Sequence, residues 1–245
     1  MTKKIPRVIA HRGFSAIAPE NTLLSFAAAL ELAVDGIEFD VRFSNDLEVM
    51  VIHDAEIGRT TSGQGRVRDL GRSEIQACDA GSWFDSKFQD TIVPTLGQVV
   101  ERIRDRAVQI VLEIKPDSWI PDDYVSRIMA HFPSSELRRR LLVISFDHEL
   151  IAPPVEWPSD VRRGALVERG DPLVQADRIE AEVLALRRNL VSRRIIREAH
   201  ESGLDVVAWT VDRPWQINRF VKWGVDAIIS NRPDRVQQIL RPHGA

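Results

Sequence analysis

The chain has 245 residues, 44% of them hydrophobic, a single cysteine and a formal charge of −3 at pH 7. That charge excludes the strongly basic field a general nucleic-acid binder needs to displace counterions, so no nucleic-acid partner is expected. One cysteine, Cys78, excludes an intrachain disulfide, and with no membrane-length apolar run and no apolar leader core in "MTKKIPRVIAHRG" the expectation is a cytoplasmic protein without stable membrane insertion.

From the N-terminus, Val8–His11 reads as a strand that ends in His11–Arg12–Gly13. Pro19–Glu20–Asn21–Thr22 then opens a helix in which Leu23, Phe26, Ala27, Leu30 and Val34 recur at helical spacing, with Asn21 as its expected N-cap. The second strand is Gly36–Phe43. Residues 44–97 interrupt the alternation with a hairpin arm, "EVMVIHD", and the stretch "GSWFDSKFQDTIVPTL". Strands follow at Val108–Lys115, Leu141–Phe146, Arg163–Val167, Val183–Leu186, Asp205–Val211 and Ala227–Ser230, with helical segments between them. One of these, "SRRIIREAHESG", ends at Gly203, suited to a C′ position. Eight strands alternating with helices predict an α/β fold, a (β/α)8 TIM barrel, as one domain over 1–245 with a small inserted subdomain at about 44–97. A doubly wound sheet also alternates, but usually with fewer strands.

Within the second strand, Ile37, Phe39, Val41 and Phe43 face one way and Glu38, Asp40 and Arg42 the other. Two carboxylates two positions apart stand roughly 7 Å apart on one face. On a half-solvated edge strand that would be unremarked, but a barrel strand has helices on one side and a packed interior on the other. Inward like charges repel and lose hydration unless a cation lies between them. Glu113 and Lys115 share a face of the third strand, which by itself reads as an ion pair. A third carboxylate at the height of Glu38 and Asp40 instead favours one divalent cation, Mg²⁺ or Ca²⁺, held by Glu38, Asp40 and Glu113.

His53 follows "EVMVI" and, like His11, stands at a strand end. A lone histidine there is usually structural, whereas two aimed at the same mouth suit proton transfer near neutrality. Arg12 has the planar fork for phosphate oxygens and Lys115 a point charge for the same task, while Gly13 lets the backbone bend beside them. Trp209 reads equally as barrel-top packing or as a wall for the substrate. Trp215, Arg219 and Trp223, at i, i+4 and i+8, read as surface packing or as the contact of a possible homo-oligomer.

With these residues in view, the chain resembles the glycerophosphodiester phosphodiesterases. The matching segments are "AHRG", "PENT", "GIEFDV", "VIHD", "DAGSWF", "VPTL", "LEIK", "AWTV" and "GVDAIISNRPD", in the family's order over nearly the whole chain. The resemblance implies a TIM barrel that hydrolyses a small-molecule glycerophosphodiester to sn-glycerol 3-phosphate and an alcohol. It implies His11 and His53 as acid and base, Glu38, Asp40 and Glu113 as metal ligands, Arg12 and Lys115 as phosphate-binding cations, and Trp209 beside the substrate. Asp46–Leu47 departs from the usual Asp–Gly turn, Asn231 stands where an acid is common, and the segment before Leu184 has no clear counterpart. Either water or the glycerol's neighbouring hydroxyl fits as nucleophile. The rival readings are a lysophospholipase D, with an apolar groove lined by Trp83 and Phe84, an enolase-type lyase, which draws single carboxylates from three successive strands, and a degenerate barrel that merely binds.

Overall fold

Eight parallel strands close on themselves around the molecular axis: β1 (Arg7–His11), β2 (Gly36–Phe43), β4 (Gln109–Ile114), β5 (Leu141–Ser145), β6 (Arg162–Val167), β7 (Val183–Arg187), β8 (Asp205–Trp209) and β9 (Ala227–Ser230). A short ninth, β3 (Val49–Val51), lies antiparallel on β2. This computed structural model describes residues 5–241; the first four residues of the basic N-terminal stretch and the last four of the 1–245 span lie outside the described residues. Helices flank the barrel as the TIM architecture requires, and no described helix is long and apolar enough to cross a membrane.

Side-chain alternation divides the core in two. Odd-numbered β2 residues such as Ile37, Phe39 and Val41 pack outward in one large cluster with helix residues such as Phe26, Val99 and Ile196. A second cluster of buried strand residues, from the opposite face of the other strands and including Ile9, Val111, Ile144, Leu166 and Ile229, fills the barrel interior. Strand β2 puts no apolar residue into that inner layer; its inward positions are Glu38, Asp40 and Arg42.

Closure explains where the insertion stands. β1 pairs only with Gly36–Glu38 at the start of β2, and β3 takes the same edge higher up, at Val41–Phe43. The chain therefore continues above the end of β1, over the C-terminal mouth. Met50, Ile52, Ile57, Val67, Ile75, Ala80 and Val93 form a separate small core for this segment. At its Asp46–Leu47 turn, Leu47 adopts φ 65°, the left-handed geometry a glycine would adopt without steric cost.

The first helix differs from its expected start. It runs Leu23–Glu31 with Thr22 as N-cap: the Thr22 hydroxyl accepts from Ser25 N and the Ser25 hydroxyl from Thr22 N. Asn21 is displaced from that role because it adopts φ 57° and turns its side chain into the barrel mouth.

The Trp215–Arg219–Trp223 spacing is satisfied within one helix, Pro214–Trp223. The Arg219 guanidinium lies 4.8 Å from the Trp215 ring centroid and 5.6 Å from that of Trp223.

Candidate active site

At the C-terminal mouth, barrel-facing alternation brings the acidic positions of β2 and β4 together. Asp40 and Glu113 are register partners, and ligand oxygens of Glu38, Asp40 and Glu113, all three buried residues, lie within 4.8 Å of one another. Two cations meet them. Lys115 Nζ is 2.5 Å from Glu113 Oε1 and 3.6 Å from Asp40 Oδ1. Arg12 Nε is 3.2 Å from Asp40 Oδ2 without the alignment of a hydrogen bond, while its backbone N–H donates to Glu38 Oε2 at 2.9 Å.

That backbone contact depends on an unusual turn. Arg12 has φ 54° and Gly13 φ 79°, both left-handed. A Cβ on Gly13 would lie 2.4 Å from the Ser25 hydroxyl and 2.6 Å from its carbonyl carbon. Gly13→Ala is therefore expected to destabilise the fold by about 3 kcal/mol, read as a lower denaturant midpoint at unchanged slope. An unchanged midpoint would refute the clash.

The electrostatics separate the three carboxylates. Burial works against an ionised Asp40, yet Arg12 and Lys115 beside it hold its carboxyl well below the usual range. Burial, with Asp40 and Glu113 as like charges, drives Glu38 far above it. Burial and the Asp40 charge push Glu113 up to about 7. Three crowded carboxyl groups, with Asp40 Oδ1 buried and accepting no hydrogen bond, match the donor set of a hard divalent cation. Asn21 completes the surroundings by donating Nδ2–H to Asp40 Oδ2 at 2.8 Å.

Both histidines face this cluster. His11 Nε2 is 3.9 Å from Glu38 Oε2, and its Nδ1 is 2.6 Å from Asn231 Oδ1. Burial and the neighbouring Arg12 push its pKa down to about 4. His53, just past β3, sets Nδ1 2.5 Å from Asp54 Oδ1. Against burial, hydrogen bonds from Arg59 and His53 hold Asp54 at about 2. Arg59 reaches from Asp54 to Glu20, with Nη2 at 2.7 Å from Oε1, and Glu20 accepts from Arg12 Nη1 at 2.8 Å. The backbone of His53 is tied down too, because Arg42 Nε donates to its carbonyl at 2.8 Å.

One cavity is lined by the polar side chains of His11, Arg12, Glu38, His53, Glu113 and Lys115 together with Ile144, Phe146, Leu166, Trp209, Thr210 and Ile229. Trp209 has the barrel-top packing that its position allowed, and it borders the cavity as well. It packs edge-to-face on Phe146 at 5.5 Å, donates Nε1–H to the Ala185 carbonyl and still lines the cavity. Trp83 and Phe84, by contrast, pack against one another on the insertion and do not line this cavity.

Seven of the eight sequence-derived residues thus line one cavity, and the eighth, Asp40, is buried against two of them, Arg12 and Lys115. Missed were Glu20, Arg59 and Phe146 as neighbours and Asn21 as a partner of Asp40. Asn21 carried a signal, since "PENT" places two capping residue types side by side and only one can cap. Arg59 carried none, because its partners Asp54 and Glu20 lie 5 and 39 positions away, at no periodic spacing.

Residues 11–235 match the glycerophosphoryl diester phosphodiesterase family. Among its relatives the chain is 34% identical to the glycerophosphodiester phosphodiesterase of Caldanaerobacter subterraneus subsp. tengcongensis, over 97% of this chain and 98% of the relative. It is similar in structure to an Oleispira antarctica phosphodiesterase in complex with the product sn-glycerol-3-phosphate, with TM-score 0.89, 27% identity and 96% and 97% of the two chains covered. It is also similar to the glycerophosphodiester phosphodiesterase of Agrobacterium tumefaciens, with TM-score 0.79, 30% identity and 94% and 98% covered.

Proposed function

Because the chain belongs to the glycerophosphoryl diester phosphodiesterase family, a family of phosphoric diester hydrolases, we propose that it cleaves glycerophosphodiesters to sn-glycerol 3-phosphate and an alcohol by two-histidine acid/base catalysis with one Mg²⁺ or Ca²⁺. The supporting observation is the single cavity that collects His11, His53, Arg12 and Lys115 above the three-carboxylate cluster. Glu38, Asp40 and Glu113 would hold the cation, which when bound supplies electrostatic stabilisation of charge developing on the phosphoryl oxygens.

The protein's own side chains account for the rest. Arg12 and Lys115 neutralise and orient the phosphate, reducing both its motion and the work of approach. One histidine accepts the proton of the nucleophile and the other delivers a proton to the leaving alkoxide. Asp54, itself held by Arg59, fixes the His53 ring. Trp209 and Phe146 form the apolar wall against which the carbon skeleton rests. The chain works as one domain, and with Cys78 as its lone cysteine it suits a reducing, cytoplasmic setting. Family membership sets aside the enolase-type lyase.

Glycerophosphocholine is the test substrate. Glycerol 3-phosphate is expected to appear with Mg²⁺ or Ca²⁺ present, to fall by a factor of about 100 or more on EDTA treatment, and to return on readdition of the ion. A rate indifferent to EDTA would overturn the metal; no glycerol 3-phosphate under any condition would overturn the activity.

A further inference from the structure

Behind His11, away from the cavity, stands a layer that neither the metal nor the phosphate contacts require. Asn231 follows β9 and Asp212 follows β8, and the two residues are joined at both ends. Asn231 N donates to Asp212 Oδ1 at 2.9 Å, and Asn231 Nδ2 donates to Asp212 Oδ2 at 2.8 Å. The Ser230 hydroxyl, donating to Oδ1 at 2.8 Å, is the third donor to the Asp212 carboxylate. On its other side, Asn231 Oδ1 accepts from the Ser15 hydroxyl at 3.0 Å and faces His11 Nδ1 at 2.6 Å. The Asn231 carbonyl also accepts from Ala16 N at 3.2 Å.

The direction of each bond in this chain follows from what each group can do. A carboxylate only accepts, so the Asn231 NH₂ must face Asp212, because the flipped amide would set an oxygen against a carboxylate oxygen. With the NH₂ so committed, the atom presented to His11 is an acceptor. A neutral imidazole carries one N–H, and an acceptor at Nδ1 places that hydrogen there. Nε2, the ring atom on the side of Glu38, is then left with its lone pair.

We propose that Asp212 and Asn231 are positioning residues that lock neutral His11 in its Nδ1–H tautomer, so that Nε2 always meets the substrate as a proton acceptor. This rests on the diesterase reading for its catalytic consequence, though not for the tautomer itself. The lock has two parts with separate functions: Asn231 holds the ring, and Asp212 decides which end of Asn231 the ring meets. Asp212→Asn breaks the second part alone. The new amide cannot accept on both sides, so one of the Asn231 donors loses its partner and the Asn231 amide is free to flip.

The test combines kinetics with ring ¹⁵N NMR on histidine-labelled protein at pH about 8, where an imidazole of ordinary pKa is neutral. The His11 resonances are assigned by their loss in His11→Ala. In the unmodified protein Nδ1 should show the protonated shift and Nε2 the lone-pair shift. Asp212→Asn and Asn231→Ala should both move the ring toward a mixture of tautomers and lower kcat roughly 10- to 100-fold at unchanged KM, as loss of a ring-orienting partner does. Asn231→Asp alone sets a second carboxylate against Asp212 and should not recover, whereas combined with Asp212→Asn it should restore much of the lost kcat, since a carboxylate at 231 again accepts from Nδ1 and also from the amide at 212. An Nε2–H tautomer in the unmodified protein, or variants with unchanged spectra and unchanged kcat, would overturn the proposal. Should the unmodified protein release no glycerol 3-phosphate, the diesterase reading fails, and the spectra still decide the tautomer.

Discussion

Replacing His53 with alanine is expected to lower kcat on glycerophosphocholine by about 10³-fold, the middle of the range for one lost proton transfer, while leaving the circular dichroism spectrum unchanged. The fold can spare the ring: its side chain is 30% exposed, and its partner Asp54 keeps the hydrogen bond from Arg59. KM should move little, because Arg12 and Lys115 remain to hold the phosphate. His11→Ala should cost a similar factor. The two variants can then be told apart with a substrate whose leaving alcohol is a strong acid, such as a nitrophenol. With His11 Nε2 as the proton acceptor, His53 is the histidine that protonates the leaving group, so His53→Ala should recover on that substrate and His11→Ala should not. A kcat within about threefold of the unmodified protein in either variant would remove that histidine from the chemistry.

What the sequence made legible is what repeats at a short period. The two-residue alternation of "GIEFDVRF" is enough to mark Glu38 and Asp40 as barrel-facing, and both are buried against Glu113. The strands were legible for the same reason, with ends differing by one or two residues, as at β8, which stops at Trp209 rather than Val211. The insertion was legible only as a break in that rhythm. What could not be read was geometry set by left-handed backbone at non-glycine residues. Arg12 looks like an ordinary position, and the paired capping types at Asn21–Thr22 give no direction: nothing local says that φ near 55° turns the Arg12 amide onto Glu38 and the Asn21 side chain onto Asp40. Asn231 looked like a departure from pattern, yet its amide reaches a strand-end histidine 220 positions earlier in the chain. Contacts of that separation have no signature in one sequence.

Exchange of Glu38 for glutamine should give the second large effect, one in which function and stability move in opposite directions. Burial and the charges of Asp40 and Glu113 raise the Glu38 carboxyl well above its ordinary pKa, and Glu113 is lifted likewise to about 7. A carboxyl whose folded pKa is raised binds more protons folded than unfolded, so its contribution to stability falls as pH rises past its ordinary value near 4.3. At neutral pH the metal-free protein therefore carries Glu38 at a cost, and the neutral amide removes it. The glutamine oxygen can still accept from the Arg12 N–H, which preserves the turn. Metal-free Glu38→Gln should accordingly melt no lower than the unmodified protein. The divalent ion reverses the order. At 100 times its dissociation constant it should stabilise the unmodified protein by about 2.7 kcal/mol, roughly 5–10 °C in Tm for a chain of this size. Glu38→Gln should show no such shift and no measurable turnover. A Glu38→Gln protein that still gained several degrees with Mg²⁺ or Ca²⁺ would place the cation elsewhere, and one that melted well below the unmodified protein without metal would show that Glu38 is held by the fold for stability and not for the ion.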